Sequence, residues 1–366
     1  MKLFLISTLN FYLVKKYTFN FLTIIIALLA LIYMFDVVEL LRRAADTQGI
    51  PLKTIFILGL YKLPEVGQEL FTFAVLFSAI LTFWQLTKRY ELMVLRSAGL
   101  SVWQFIVPIL CAAFIIGAVK IMMINPLSVM LISRYENLEA QYLSNQNNAI
   151  SISEQGLWLR QDYNQGSAII HARNIRLPEW ELSNLSVFII DEEDKFLQRI
   201  DSKLATLQEE KWNFVGATVN APGQIPQKYK NISLATEMTI EQLENSFSSA
   251  RTISFWQFPN YIRTLEKTGF NARPLKIYFQ SLLAQPLLFM SMILLAATVS
   301  LRPPRNGSAI LLIMGGVGIG FIVFFTSNFL QALGASAQIP LFVAAWFPAM
   351  ITFLLGIGVL MTLEDG

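Results

Sequence analysis

The chain has 366 residues, 54% of them hydrophobic and 14% charged, with 28 Phe and a mean hydropathy of +0.52. Soluble domains carry about 25% charged residues, so this composition describes a membrane protein. A net charge of +3 argues against nucleic-acid binding, and a single Cys and a single His leave no set for a structural zinc or an internal disulfide.

Charge is unevenly spread: residues 140–262 hold 24 of the 53 charges (28 basic plus 25 acidic), whereas 277–363 hold only Arg302 and Arg305. The middle reads as a water-facing domain and the flanks as membrane. Spanning helices need about 20 apolar residues. On the N-terminal side Tyr17–Phe35 and Ser97–Val119 qualify, and the shorter Leu70–Leu86 is extended obliquely by an amphipathic lead, Leu52–Leu63, before Pro64. Met1–Tyr33 reads as a retained helix, because its apolar stretch is too long for a signal peptide and no A-x-A site follows. Three more spans follow the central domain: Ile277–Leu301, Gly307–Gln331 and Pro340–Leu363. The expected divisions are 1–139, 140–262 and 263–366.

Basic residues in short loops orient such a chain. With a cytoplasmic N-terminus, Lys2, Lys15, Lys16, Lys88, Arg89, Arg96, Arg302 and Arg305 collect inside, the central domain lies outside, and the C-terminus with Glu364 and Asp365 returns to the cytoplasm. Many cations nonetheless fall near outer helix ends, among them Arg42, Arg43, Lys53, Lys62, Lys120, Arg134, Arg263, Lys267, Arg273 and Lys276. Two readings stand side by side. They snorkel and pair with Asp36, Glu39, Asp46, Glu65, Glu69, Glu136 and Glu266, or they form a basic collar for an anionic head group, to which arginine forks are suited.

The central domain reads as β structure. Gly156–Arg160, Ala168–Ile175, Leu185–Ile190, Phe196–Leu204 and Trp212–Val219 alternate and are separated by turn-forming clusters. Strands at this spacing imply a sandwich or jellyroll. His171 lies in one of them with no catalytic pattern around it. Walker A, H-E-x-x-H, C-x-x-C and G-x-S-x-G motifs are all missing from the sequence. Gly316 and Gly320 form a G-x-x-x-G inside an apolar span, which suits close helix packing better than phosphate binding.

One segment on the N-terminal side of the third span stands apart. In TKRYELMVLRSAGLSVWQF, residues 87–105, the charges Lys88, Arg89, Glu91 and Arg96 interleave with Leu92, Val94 and Leu95, and Gly99 supplies a stop. Such a helix either rests on the inner leaflet or acts as a peg for a cytoplasmic partner.

YELMVLRSAG, residues 90–99, resembles the E-[LI]-x-[VA]-[ML]-x-x-x-G coupling helix of the lipopolysaccharide export permeases LptF and LptG. The resemblance extends to the whole arrangement of three spans, a β-rich domain and three spans. ISEQGLWLRQD, residues 152–162, and the short tail after the sixth span are more similar to the G type than to the F type.

The resemblance implies a non-catalytic, cofactor-free α-helical polytopic protein of a Gram-negative inner membrane, with six helices and an inserted periplasmic β-jellyroll. It implies further that Arg89, Glu91, Leu92, Leu95, Arg96 and Gly99 engage an LptB-like ATPase dimer, which holds ATP and Mg. The other implied partners are an LptF-like permease, an LptC-like single helix and lipopolysaccharide, whose head group would meet Arg42, Arg43 and Arg134, with Lys62 and Arg273 joining them from the basic collar. Met34, Ser133 and Glu136 depart from cationic positions of that family. The competing readings are another envelope-lipid or lipoprotein exporter and a lipid-modifying enzyme, for which Glu65 and Glu69 are the only tempting acidic pair.

Overall fold

The computed structural model describes residues 2–45, 51–142, 149–153, 156–163, 166–176, 181–191, 195–208, 211–236, 253–267, 271–300 and 309–364. Asp46, Arg302, Arg305 and Asp365 lie outside the described residues, as do the side chains of Lys2, Lys267 and Glu364.

The helices are α1 (Lys2–Ala45), α2 (Leu52–Lys88), α3 (Glu91–Ser97), α4 (Val102–Val119), α5 (Asn125–Tyr142), α6 (Phe258–Lys267), α7 (Arg273–Ser300), α8 (Ala309–Ala335) and α9 (Leu341–Glu364). A π-helical turn, Lys120–Ile124, joins α4 to α5. Six stretches are long and apolar enough to cross a membrane: Thr8–Ala45, Leu52–Lys88, Val102–Glu139, Arg273–Ser300, Met314–Ala335 and Leu341–Thr362. The lead Leu52–Leu63 and the span Leu70–Leu86 are one uninterrupted helix with Pro64 inside it. Neighbouring groups can re-satisfy the backbone freed by a proline within a bundle, so Pro64 does not end the helix as it would in water.

The chain divides into two compact units. The first is residues 1–139, 254–256 and 276–366; the second is 140–253 and 257–275. α6 and the first residues of α7 cluster with the second unit. In the first unit, Leu13, Tyr17, Phe21 and Ile25 of α1 pack with Phe71, Val75, Ala79 and Phe83 of α2, Phe105 and Ile109 of α4, and Phe289 and Ile293 of α7.

The second unit contains a seven-stranded antiparallel sheet in meander order: β1 (Ala149–Ser153), β2 (Gly156–Asp162), β3 (Gly166–Arg176), β4 (Glu181–Asp191), β5 (Phe196–Gln208), β6 (Lys211–Asn220) and β7 (Gln227–Ala235). Alternation puts Leu159, Ile170, Val187, Ile200, Trp212 and Phe214 inside, each at most 3% exposed. Pairing lapses at Arg173, Asn184, Lys203 and Gly216, which occupy adjacent places on β3 to β6. Asn184 (φ 55°) and Gly216 (φ 68°) are left-handed there, a local irregularity of the kind that lets a sheet curve. The Ser202 hydroxyl fills the gap, lying 2.9 Å from both Leu204 O and Val215 O.

The curvature is large enough to bring the two ends of the sheet together. Gln161 on β2 donates a 3.0 Å hydrogen bond to Ala235 O on β7, five ladder steps away, which in a flat sheet is roughly 24 Å. This curled antiparallel sheet fits the inserted jellyroll-like domain expected from the sequence.

Candidate functional site

The segment between the second and third spans is built from turns. α2 ends at Lys88, with the N–H of Arg89 bonded to Gln85 O (3.1 Å). Tyr90 then takes a left-handed conformation (φ 59°), and Gly99 (φ 80°) closes α3 at its far end. Gly99 meets no other residue around its Cβ direction, so its backbone conformation is what demands glycine.

Helical spacing then sorts the seven residues of α3 into two faces. Leu92 is 7% exposed and Leu95 packs beside it against the first unit's core. Leu92 and the partly buried Leu95 anchor the segment to the first unit. The opposite face presents Tyr90, Met93 and Val94, each about two-thirds exposed, flanked by the exposed Arg89, Arg96 and Ser97. Met93 is absent from the residues picked out by sequence; the run Leu92–Leu95 is apolar throughout, and only contacts separate its two sides.

Glu91 faces inward. Its Oε2 accepts from Tyr12 OH (2.9 Å) and its Oε1 pairs with Lys16 Nζ (3.3 Å), with side-chain exposures of 27% for Glu91 and 13% for Lys16. Tyr12 and Lys16 were not among the sequence candidates.

At the opposite end of α1, roughly 40 Å from Lys16 at 1.5 Å per residue, most of the cations are already engaged. Arg42 forms a two-point contact with Glu39 (2.9 and 2.8 Å). Arg43 bridges Glu39 (3.3 Å) and Glu139 of α5 (3.1 Å), and Tyr135 OH donates to the same Glu139 oxygen (2.9 Å). Lys62 Nζ sits 3.0 Å from Asp36 Oδ1.

Arg134 differs: it is exposed and makes no ion pair among the described residues. Arg273 begins α7, where its backbone N–H is capped by Asn271 Oδ1 (3.0 Å), and it belongs to the second unit. Lys120, placed by sequence with these cations, is instead 4% exposed. Its ammonium lies 5.7 Å from the ring centres of both Phe71 and Phe289. Glu136 and Ser133 are exposed on α5, and Met34 is 57% exposed on α1.

Gly316 and Gly320 pack α8 against α2. A Cβ at Gly316 would run into Ile80 Cδ1, and one at Gly320 would sit 2.9 Å from Leu76 Cδ2. No group of three or more potential metal ligands occurs among the described residues. Glu65 and Glu69 lie one helical turn apart on α2, and His171 is stacked on Trp158 with ring centres 4.2 Å apart.

Six helices long and apolar enough to cross a membrane, split three and three in sequence by a curled β domain, with a short helix between the second and third, define a multi-pass membrane protein. The chain belongs to the family described as lipopolysaccharide export system permease LptF/LptG, which it matches over residues 11–362. It is 23% identical over 319 residues to lipopolysaccharide export system permease protein LptG of Escherichia coli K12, covering 83% of this chain and 85% of that protein. It is 20% identical over 361 residues to the LptG of Haemophilus influenzae, covering 95% and 96% of the two chains. Membership makes this chain a transporter component.

Proposed function

We propose that this chain is a G-type permease subunit that draws lipopolysaccharide from the outer leaflet of a Gram-negative inner membrane and hands it to a periplasmic β-jellyroll bridge. The observation that carries this reading is the family match over residues 11–362, nearly the whole chain. Both termini lie in the cytoplasm and the β domain in the periplasm, the arrangement favoured by the inner cluster Lys15, Lys16, Lys88, Arg89 and Arg96.

In this reading the chain binds no cofactor and hydrolyses nothing. A separate LptB-like ATPase dimer supplies the work and docks on the Tyr90, Met93, Val94 and Arg96 face of α3. Apolar side chains rimmed by cations suit a protein partner. A companion LptF-like permease and an LptC-like helix complete the assembly. The first and fifth spans have room for them, because only 17% of each apolar window is covered by the chain itself. Closure of the ATPase would push α3 and narrow a lipid cavity between the two permeases, which requires that α3 contact the open and closed ATPase differently. Arg134 is the cation best placed to meet a lipid phosphate, since Arg42, Arg43 and Lys62 must first give up carboxylate partners.

The test is a mild-detergent pull-down of the tagged chain from native membranes, with mass spectrometry of proteins and lipids. Recovery of a P-loop ATPase, a second six-span subunit and lipopolysaccharide is the expected result. An ATPase with another cargo would discard the substrate, and absence of any ATPase would discard the transporter assembly.

A further inference from the structure

The curled sheet carries a groove of about 400 Å³ on its solvent-facing side, wholly within the second unit. Two neighbouring cross-strand rows line it. One follows the ladder through His171, Ser186, Asp201 and Thr218, all half-buried. The other is the row where pairing lapses, and there Arg173, Asn184 and Lys203 are exposed. Gly216 ends that row without a side chain, which leaves the groove open on the β6 side. The lapse reaches β7 as well, where the exposed Lys230 is left out between the pairs Val215–Asn231 and Ala217–Tyr229.

The lining is rich in uncommitted donors. Arg173 and Lys203 make no ion pair among the described residues, and the side chains of Asn184 and Thr218 make no hydrogen bond there. The carboxylate in the lining is already engaged. Asp201 Oδ1 accepts from Ser186 Oγ (2.7 Å) and Arg199 Nε (2.7 Å), and Oδ2 accepts from Asn220 Nδ2 (3.3 Å). Arg199 therefore offsets the one negative charge, and Arg173 and Lys203 leave the groove net positive. These two cations stand on β3 and β5, two ladder steps or roughly 10 Å apart, with Asn184 between them. Long side chains at that spacing can close on one small anion from both sides, and an arginine fork takes two phosphate oxygens at once.

We infer that the groove is a binding site for a phosphomonoester. Arg173 and Lys203 hold the phosphate, and Asn184 and Thr218 donate to its remaining oxygens. His171, stacked on Trp158 with ring centres 4.2 Å apart, offers a flat wall to the organic part. The volume falls in the range of small-molecule sites, about 300–1,000 Å³, so there is room for more than the phosphate alone. A soluble phosphomonoester and a phosphorylated lipid head group share this chemistry. The site stands whether or not the chain exports lipid.

The test is titration of the full chain, in neutral detergent and phosphate-free buffer, with phenyl phosphate, followed by calorimetry and by broadening of the ligand's phosphorus resonance. Phenyl glucoside is the uncharged control and should not bind. Arg173→Glu and Lys203→Glu should each weaken phenyl phosphate binding about tenfold or more, and Thr218→Val about threefold. Arg173→Gln and Lys203→Gln, which keep the side chains polar and cannot repel the ligand, should each weaken it several-fold. Lys211→Glu, which removes an exposed cation at the far end of β6, should leave it within about twofold.

Competition then separates the two sources. Displacement of phenyl phosphate by lipopolysaccharide micelles would assign the groove to a phosphorylated head group, and binding that survives the micelles would assign it to a soluble phosphomonoester. No binding of phenyl phosphate by the parent chain would overturn the inference. So would binding that none of the Arg173 and Lys203 variants weakens, or phenyl glucoside binding as tightly as phenyl phosphate.

Discussion

Gln161 on β2 and Ala235 on β7 are joined by a 3.0 Å side-chain-to-carbonyl hydrogen bond, although five ladder steps separate their strands. The bond marks where the curled sheet closes over its core, so it should contribute to the stability of the outer domain without creating it. Gln161→Ala is expected to cost about 1 kcal/mol. Trp212→Ala, which empties a fully buried position on β6, is expected to cost about 3–5 kcal/mol. Pulse proteolysis of the intact chain in increasing urea checks both, and equal losses would contradict the closure account.

Glycines on α8 offer an internal control. Gly316 and Gly320 face α2 at close range, whereas Gly315 and Gly318 meet nothing within 4 Å. Gly316→Leu or Gly320→Leu should reduce the yield of monodisperse protein in detergent several-fold, while Gly315→Leu and Gly318→Leu leave it within about twofold. Fluorescence-detected gel filtration distinguishes these outcomes, and four equal yields would remove the packing role.

The same comparison shows how much was legible in the sequence. Six spans, the three-and-three split and the five inner strands, β2 to β6, follow from composition and alternation alone. β1 and β7 do not: β1 is only five residues long, and β7, QKYKNISLA, is exposed along most of its length, so it displays no buried alternating face. Pro64 suggests a boundary by the rules of aqueous helices, and packing within the bundle removes it. For the sites, Asp36 and Glu39 were readable as partners of nearby cations, but Glu139 lies 96 residues from Arg43. The pairing of Lys16 with Glu91 spans 75 residues, and the four-residue recurrence of Tyr12, Lys16 and Asn20 hints at a face without saying what it meets.

Between α1 and α2, the buried amide of Asn20 bonds Thr82 and Gln85 at once. Polar contacts between membrane helices contribute about 0.6 kcal/mol on average and up to about 1.7. Asn20→Leu should therefore lower the midpoint of thermal aggregation in detergent by a few degrees. Thr82→Val should lower it less, because Gln85 remains as an acceptor. A larger loss in Thr82→Val than in Asn20→Leu would contradict this division.

Head-group contact should rank by how free each cation is. Arg134→Glu is expected to cut photo-crosslinking of lipopolysaccharide to the complex about tenfold, the value of one charge-assisted hydrogen bond. Arg42→Glu should cut it no more than about threefold, because Arg42 already spends its fork on Glu39. Crosslinking in vesicles of fixed lipid composition measures both, and the reverse order would show that ion pairing at rest does not determine which cation meets the lipid.

The most direct measurement of the central claim is transfer from vesicles. The purified complex containing this chain is reconstituted with lipopolysaccharide, and its appearance on a soluble acceptor jellyroll is followed with and without ATP. The account predicts ATP-dependent transfer that is lost when the exposed face of α3 is blocked by Met93→Glu with Val94→Glu. Transfer that proceeds equally without ATP, or that survives those substitutions, would contradict it.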